Sequence, residues 1–451
     1  MFLSFFAPAS GRKLTFSAAG RRFPIAVVAL AMAVWAQTAL AVATPLSLAE
    51  AQRLAIARSR QLDAQDAATA ASQDRAVAAR QLPDPVLKVG VDNLPVTGAG
   101  RYSLGDDFMT MRRIGVIQEY TRADKRRLRA ERFEREADKA AAEKERLAAA
   151  IERDTALAWL DRYYIEAMIA VIAEQRAQAK LAVEAAEGAY RAGRGSQADV
   201  FGARTGLGMI DDRASELDRK LRNATVRLER WIGAAAQQPL FGKPGIDQLR
   251  FNLATLDSAS LGAHLAHHPD IAVLGRQAQV AQAEADLARA NEHPDWTVEV
   301  SYQRRGAAFS DMVSVGLSVP LQWDRNNRQD RELGARLAAV EQARDERDEM
   351  LREHVADTRA LINEWQNDRE RRQRYERELI PLGAERSAAA LAAYRGGKAG
   401  ISEVLAARRD EIDVRLQALQ LEAAAAQLWA QLNFLYPSTE STLAQAATER
   451  K

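Results

Sequence analysis

The 451-residue sequence contains no cysteine. That absence excludes disulfide scaffolds, cysteine-ligated zinc, thiol catalysis and a lipid anchor on cysteine. Aromatic residues make up only 6%, few for a conventional globular core. Charge of one sign is also lacking: 63 basic residues face 61 acidic ones. Four of the basic residues, Arg12, Lys13, Arg21 and Arg22, stand in the first 43 positions, which hold no acid. The remainder carries 59 basic against 61 acidic residues, a net −2. A globally basic nucleic-acid binder is therefore excluded. Nucleotide loops, GxSxG elbows and dinucleotide fingerprints are missing, and we expect neither an enzyme nor a bound cofactor. Past residue 43 no stretch approaches 18 apolar residues, so membrane insertion by the rest of the chain would have to use strands.

The apolar run from Phe23 to Ala43 follows the four basic residues and ends in Ala39-Leu40-Ala41 and Ala41-Val42-Ala43. This order of charged, apolar and small residues reads as a cleaved signal peptide over 1–43. The chain is then expected to work outside the cytoplasm.

What the sequence does contain is one long duplication. AYRAGRGSQADVFGAR at 189–204 matches AYRGGKAGISEVLAAR at 393–408. Tyr190 pairs with Tyr394, Gly193 with Gly397, Asp199 with Glu403 and Arg204 with Arg408. Leu82-Pro83-Asp84-Pro85 corresponds to His293-Pro294-Asp295-Trp296, and Ile114-Gly115-Val116 to Val315-Gly316-Leu317. All three matches keep the same order, as a repeated unit requires. The units span 44–232 and 257–437, with a linker over 233–256 and a tail over 438–451. Each unit predicts a first helix (Leu46–Gln81, Ser258–Glu292) stopped by Pro83 or Pro294. Two strands and a very long helix follow (Asp124–Arg191, Arg328–Tyr394). A glycine-rich turn and a returning helix close the unit. Asp124–Arg191 would be roughly 100 Å long at 1.5 Å per residue. Pro381 predicts a kink or short break in the second long helix.

The strands alternate. Trp296, Val298, Val300 and Tyr302 oppose Thr297, Glu299, Ser301 and Gln303, and Val313, Val315, Leu317, Val319 and Leu321 oppose Ser314, Gly316, Ser318 and Pro320. Within Val86–Asp92, Leu87, Val89 and Val91 oppose Lys88, Gly90 and Asp92, and Met109–Tyr120 is less regular. Such runs suit either a half-buried soluble sheet or a membrane barrel with a lipid face and a polar lumen. The export leader, and the want of sequence to cover the apolar face, favour the barrel. Four strands cannot close, since closure takes about eight or more. Open edges in lipid are forbidden. Several chains must therefore share one barrel, two giving eight strands and three giving twelve with room for a channel.

At this point the chain resembles the TolC-type outer-membrane efflux family. LSLAEAQRLAIARSRQL, the paired AYRxG…(D/E)V turns, QEYTRADKRRLRAE and VPLQWDRNNRQDRELGAR carry the likeness. LPDPVLKVGVDNLP, DDFMTMRRIGVIQEY and KRRLR narrow it to the outer-membrane component of heavy-metal (cobalt-zinc-cadmium) pumps. The resemblance implies a mainly α fold with a membrane β-barrel. A homotrimer would share a 12-stranded barrel in outer-membrane lipid, continued by a periplasmic α-helical barrel. It implies a periplasmic membrane-fusion adaptor and an inner-membrane RND-type pump as partners. The chain would be a passive exit duct, with heavy-metal cations the expected cargo, opened at its tip on docking. A type I protein-secretion or drug-efflux conduit of the same fold is the alternative, and a periplasmic coiled-coil scaffold without a barrel is a third reading.

The resemblance also assigns residues. Gly193, Arg194, Gly195 and Ser196, with Gly396, Gly397, Lys398 and Gly400, would form the adaptor-docking tip. Tyr394 and Asp199 would form the hydrogen-bonded lock, with Ala399 in place of a frequent arginine. Glu403 would ring the constriction, with Ala406 where a second acid often stands. Ser196 and Ser402 read as N-caps of the returning helices. His264 and His268 stand i,i+4 on one expected helix, a spacing able to hold a metal. Without HExxH or an intervening carboxylate we read them as the polar helix start before Pro269, and no metal site is expected. Met109 and Met111 read as membrane-facing strand positions in preference to soft-metal ligands.

Overall fold

The protein is described here by a computed structural model covering residues 45–249 and 258–437. The expected signal peptide, the end of the expected linker (250–256) and the tail over 438–451 lie outside the described residues. The chain divides into Met1–Pro45 and Leu46–Lys451, and everything below belongs to the second unit.

Both expected first helices are broken once. α1 (Leu48–Arg58) and α2 (Arg60–Ala79) part at Ser59, whose hydroxyl accepts the Leu62 amide at 3.3 Å and starts α2. α5 (Ser258–Leu265) and α6 (Pro269–Ala290) part before Pro269. A proline drives the residue before it out of helical backbone, and His268 is accordingly extended (φ −59°, ψ 140°).

α3 (Ala123–Arg191) runs unbroken for 69 residues, about 100 Å at 1.5 Å per residue. It is the spine of the fold, packing against α1, α2, α4 (Gln197–Ile232), α6 and α9 (Ile401–Asn433). Many of its buried positions are alanines, among them Ala130, Ala137, Ala140, Ala148 and Ala156. Small side chains let neighbouring helices lie close, so a helix this long needs few large apolar residues to stay packed. The expected irregularity at Pro381 is present as a π turn in an uninterrupted helical run. α7 (Gln329–Arg374) passes through a π turn (Tyr375–Leu379) into α8 (Ile380–Arg395). Pro381 has no N–H to give and would clash with the carbonyl four residues earlier. One widened turn absorbs both problems without ending the helix.

The four strands form a single antiparallel sheet in the order β1 (Val86–Asp92), β2 (Met111–Tyr120), β3 (Trp296–Arg304), β4 (Met312–Ser318). The seam between repeats is β2–β3, with Val116 opposite Val300 and Tyr120 opposite Trp296. At the seam a Cβ on Gly115 would stand 2.7 Å from Ser301 Cβ, so only glycine fits. β1 and β4 leave their outer edges without a partner strand among the described residues.

The main core lies where α1, α3, α4 and α9 meet the segment after α4. Trp159, Trp365 and Trp429, drawn from both repeats, are buried there with Leu160, Leu228 and Leu432. Large side chains of this kind contribute about 1.5–3 kcal/mol each on full burial. Trp159 Nε1–H donates to the Leu46 carbonyl at 3.2 Å. The Leu46 amide donates to Pro239 O at 2.9 Å, and Phe241 N–H donates back to Leu46 O at 3.1 Å. Residues 46 and 239–241 are thus tied together across the first repeat. Farther along α3 the core thins to Met168, Ile172, Leu217, Ile412 and Leu416. Near the turns it shrinks again to Ala186, Val200 and Ala203.

Candidate channel site: the sheet faces and the helical tip

The sheet segregates chemistry by face. Cross-strand register puts Leu87, Val89, Ile114, Val116, Val300, Val315 and Leu317 on one side. These side chains are exposed, Val89 by 70% and Val315 by 73%. Lys88, Asp92, Arg113, Glu299, Ser301, Gln303 and Ser314 occupy the other side. Arg113 reaches Asp92 at 3.2 Å and Glu299 at 3.7 Å, and Lys88 reaches Glu299 at 3.4 Å. Ser314 donates to Gln303 Oε1 at 3.0 Å. One face is therefore a wet, charge-compensated network and the other an uncovered apolar band. Tyr120 and Trp296 pack 5.5 Å apart at the helix-proximal end of that band, where an amphipathic ring suits a headgroup boundary. No helix among the described residues is long and apolar enough to cross a membrane.

The methionine expectation is corrected. Met109 lies before β2, where its amide donates to Asp107 Oδ1 at 2.7 Å. Met111 is in β2, but its register with Asp92 puts it on the polar side.

The two turns are copies in atomic detail. Arg194 N–H and Gly195 N–H donate to Ala189 O at 2.9 and 3.1 Å, while Gly193 N–H donates to Tyr190 O at 3.0 Å. In the second turn Lys398 N–H donates to Ala393 O at 2.9 Å, and Gly397 N–H to Tyr394 O at 3.0 Å. Gly193 (φ +69°) and Gly397 (φ +71°) both sit in left-handed backbone, which glycine alone enters at no steric cost. Arg194, Ser196, Gly396, Lys398 and Gly400 are exposed, and Gly195 is half-buried. All eight expected docking residues thus gather at two exposed reversals.

The copies diverge at the caps. Ser196 Oγ accepts the Asp199 amide at 3.1 Å, and Asp199 Oδ2 accepts Ser196 N–H at 3.0 Å and Ser196 O–H at 2.7 Å. This capping box holds the Asp199 carboxyl below the usual carboxylate range. In the second repeat the expected cap at Ser402 is corrected. Gly400 occupies the cap position with no side chain to contribute, and Ser402 falls inside α9. Glu403, which matches Asp199 in the duplication, is exposed, and no side-chain hydrogen bond or ion pair engages it among the described residues. Tyr394 is half-buried. Its hydroxyl makes no hydrogen bond to Asp199 in the single chain, whose bound oxygen is Oδ2.

Between the helical pairs α3/α4 and α8/α9 runs a groove of about 600 Å³, lined by Ala182, Gly206, Ile210, Tyr394, Leu405 and Ile412 among others. Arg213 and Asp413 bridge it at 2.7 Å. This charge pair was not singled out from the sequence; their 200-residue separation hides it.

The structure places the histidines differently from the expected i,i+4 pair. The His264 ring packs on Tyr436, with centroids 5.2 Å apart. His268 instead meets His354 of α7 and Asp270 of α6, and the potential ligand atoms of all three lie within 4.8 Å of one another. Burial, more than any other cause, lowers His268 to about 4, whereas the hydrogen bond to Asp270 raises His354 above the ordinary histidine value.

Similarity to known proteins agrees with this architecture. A sequence model of the family described as "Outer membrane efflux protein" matches residues 261–436. The second repeat is thus similar in sequence to the outer membrane efflux proteins. The cobalt-zinc-cadmium resistance protein CzcC of Cupriavidus metallidurans is 26% identical over 268 residues, 56% of this chain. The match spans 62% of that relative's length. Solved structures extend the fold to both repeats. CusC aligns with a TM-score of 0.73 at 15% identity, covering 87% of this chain and 92% of its own. VceC of Vibrio cholerae aligns with a TM-score of 0.69 at 18% identity, covering 86% and 95%. The long helices and four-stranded sheet thus share the fold of these solved proteins, and the resemblance read from the sequence holds.

Proposed function

We propose that the chain is the outer-membrane duct of a tripartite efflux system. The observation that carries this reading is the two-faced sheet: an uncovered apolar band opposite a charged network, with free edges at β1 and β4. An apolar band of this kind is stable against lipid, and free edges in lipid must be paired. Three chains pairing β4 to β1 would close a 12-stranded barrel wide enough for a channel. The long helices would continue it through the periplasm. The chain itself performs no chemistry.

The exposed turns Gly193–Ser196 and Gly396–Gly400 would contact a periplasmic adaptor, with an inner-membrane RND-type pump beyond. Tyr394 would close the tip against the Asp199 oxygen left over by the capping box. Three copies of Glu403 would form an acidic ring that attracts cations. The likeness to a cobalt-zinc-cadmium resistance protein supports heavy-metal cations as cargo.

The test is fractionation of the untagged chain, then sizing in mild detergent and metal-tolerance assays in a strain lacking it. A detergent-requiring outer-membrane trimer that restores tolerance supports the proposal. A soluble periplasmic monomer would sink the barrel, and a trimer that exports protein or drugs while leaving tolerance unchanged would reassign the cargo.

A further inference from the structure

We propose that His268, Asp270 and His354 form a binding site for one divalent transition-metal ion, held within each chain and separate from any ion in transit. The ligands come from two elements. His268 precedes α6, Asp270 stands in its first turn, and His354 projects from α7. Asp270 Oδ2 lies 3.5 Å from His268 Nδ1 and 3.4 Å from His354 Nε2. A tetrahedral ion with metal–ligand bonds of 2.0–2.1 Å has ligand–ligand edges of roughly 3.3–3.4 Å. Two edges of the triangle already have that length. The third, between the imidazole nitrogens, is at most 4.8 Å, and the His354 side chain that would close it is partly exposed. The solvent side leaves a fourth position for water.

A second observation concerns the choice of residue. The helix after the break is capped by Ser59 in the first repeat and by His268 in the second. Serine is a preferred N-cap and histidine is not. His268 Nδ1 accepts the Asp270 amide at a long 3.3 Å, a weak bond that a metal would readily displace. Tyr436 backs the His268 ring at 5.7 Å between centroids. The hydroxyl of Tyr436 is fixed on the His264 carbonyl at 2.7 Å. The site is thus walled on one side and open on the other.

Charge permits a dication. Arg146 pairs with Asp270 through Oδ1 at 3.9 Å, leaving Oδ2 to face the two histidines. Arg153 is paired with Asp154 at 3.0 Å. Glu353 and Asp357 add negative potential at His354. Two imidazoles and one carboxylate select Zn²⁺, Co²⁺ or Cu²⁺ over Mg²⁺ and Ca²⁺, which prefer all-oxygen shells. A bound ion would pin the start of α6 to α7 in the second repeat.

The experiment uses the full mature chain, stripped of metal in detergent, with zinc chloride as the probe in equilibrium dialysis and calorimetry. Saturable binding of one Zn²⁺ per chain is expected, with a zinc-dependent rise in melting temperature. His354→Ala and Asp270→Asn should each weaken binding at least tenfold, while His293→Ala, outside the cluster, should bind as the parent does. Tetrahedral ligand-field absorption on Co²⁺ substitution should vanish in His354→Ala. Circular dichroism and trimer sizing of each variant separate lost ligands from lost fold; if His354→Ala misfolds, His354→Gln replaces it. Absence of saturable binding in the parent chain, or unchanged zinc affinity in folded His354 and Asp270 variants, would overturn the proposal. Neither result depends on cargo export.

Discussion

Arg213 on α4 and Asp413 on α9 form a 2.7 Å ion pair across the groove between the two repeats. Both side chains are around two-fifths exposed, 43% and 38%. A pair that wet contributes only about 0–1 kcal/mol to stability. Its consequence is positional: it ties together two returning helices whose tips must separate if the duct opens. Arg213→Ala should therefore leave thermal unfolding within about 1 kcal/mol of the parent while raising single-channel conductance in planar bilayers. The exchange Arg213→Asp with Asp413→Arg should restore the low conductance. Equal conductance in all three proteins would show that the pair does not restrain the tip.

Gly115 and Gly90 make a matched test of the sheet. A methyl at Gly115 would collide with Ser301 at 2.7 Å, while one at Gly90 would meet nothing within 4 Å. Gly115→Ala must force β2 from β3, the only strand pairing among the described residues that joins the repeats. It should lower recovery of the proposed trimer severalfold on detergent sizing, and Gly90→Ala should not. Equal recovery from both would mean that β2–β3 contact is dispensable for assembly.

Some of this architecture was open to sequence reasoning because it is periodic. Alternation located β1 at its observed bounds and β3 to within one residue, since each side chain reports its face every second position. The ends were harder. β2 begins at Met111 because Thr110 and Met109 belong to a turn organised by Asp107. β4 stops at Ser318, ahead of Pro320, which has no amide for a ladder. Pro381 announced the π turn, but no proline marks Ser59, so the break after α1 stayed hidden. The histidine cluster was invisible for a different reason. His268 and His354 are brought together by the register of α6 against α7, and short-range spacing carries no information about that register. The Arg213–Asp413 bridge escaped for the same cause.

The glycines at the turn apices should resist replacement equally. Gly193 and Gly397 share φ near +70° and open space around the Cβ position, so strain and not collision sets the cost. Either change to alanine should destabilise its turn by about 1–2 kcal/mol. Hydrogen exchange at Arg194 or Lys398 should rise accordingly, with the main core unaffected. Adaptor affinity should fall with it, if these turns are the docking surface. Unchanged exchange at both amides would mean that the turns tolerate a side chain without strain.

Asp199 and Glu403 occupy matching positions with different employment, and this separates structural from electrostatic roles at the tip. Asp199 is bound by Ser196 and its carboxyl is held below the ordinary value. The linkage sign follows: its capping contribution is fully present above the unfolded value near 3.8 and is lost as pH falls through the lower folded value. Between pH 7 and pH 5 the start of α4 should therefore be insensitive to acid. Glu403 has Gly400 as its cap and no side-chain partner there, so in the proposed acidic ring its charge would be available to passing ions. Glu403→Gln should reduce cation over anion selectivity in reversal-potential measurements and leave unfolding unchanged. Asp199→Asn should do the reverse, fraying α4 with little change in selectivity. The same selectivity loss from both would place Asp199 in the pore as well, and no loss from Glu403→Gln would remove the acidic ring from the mechanism.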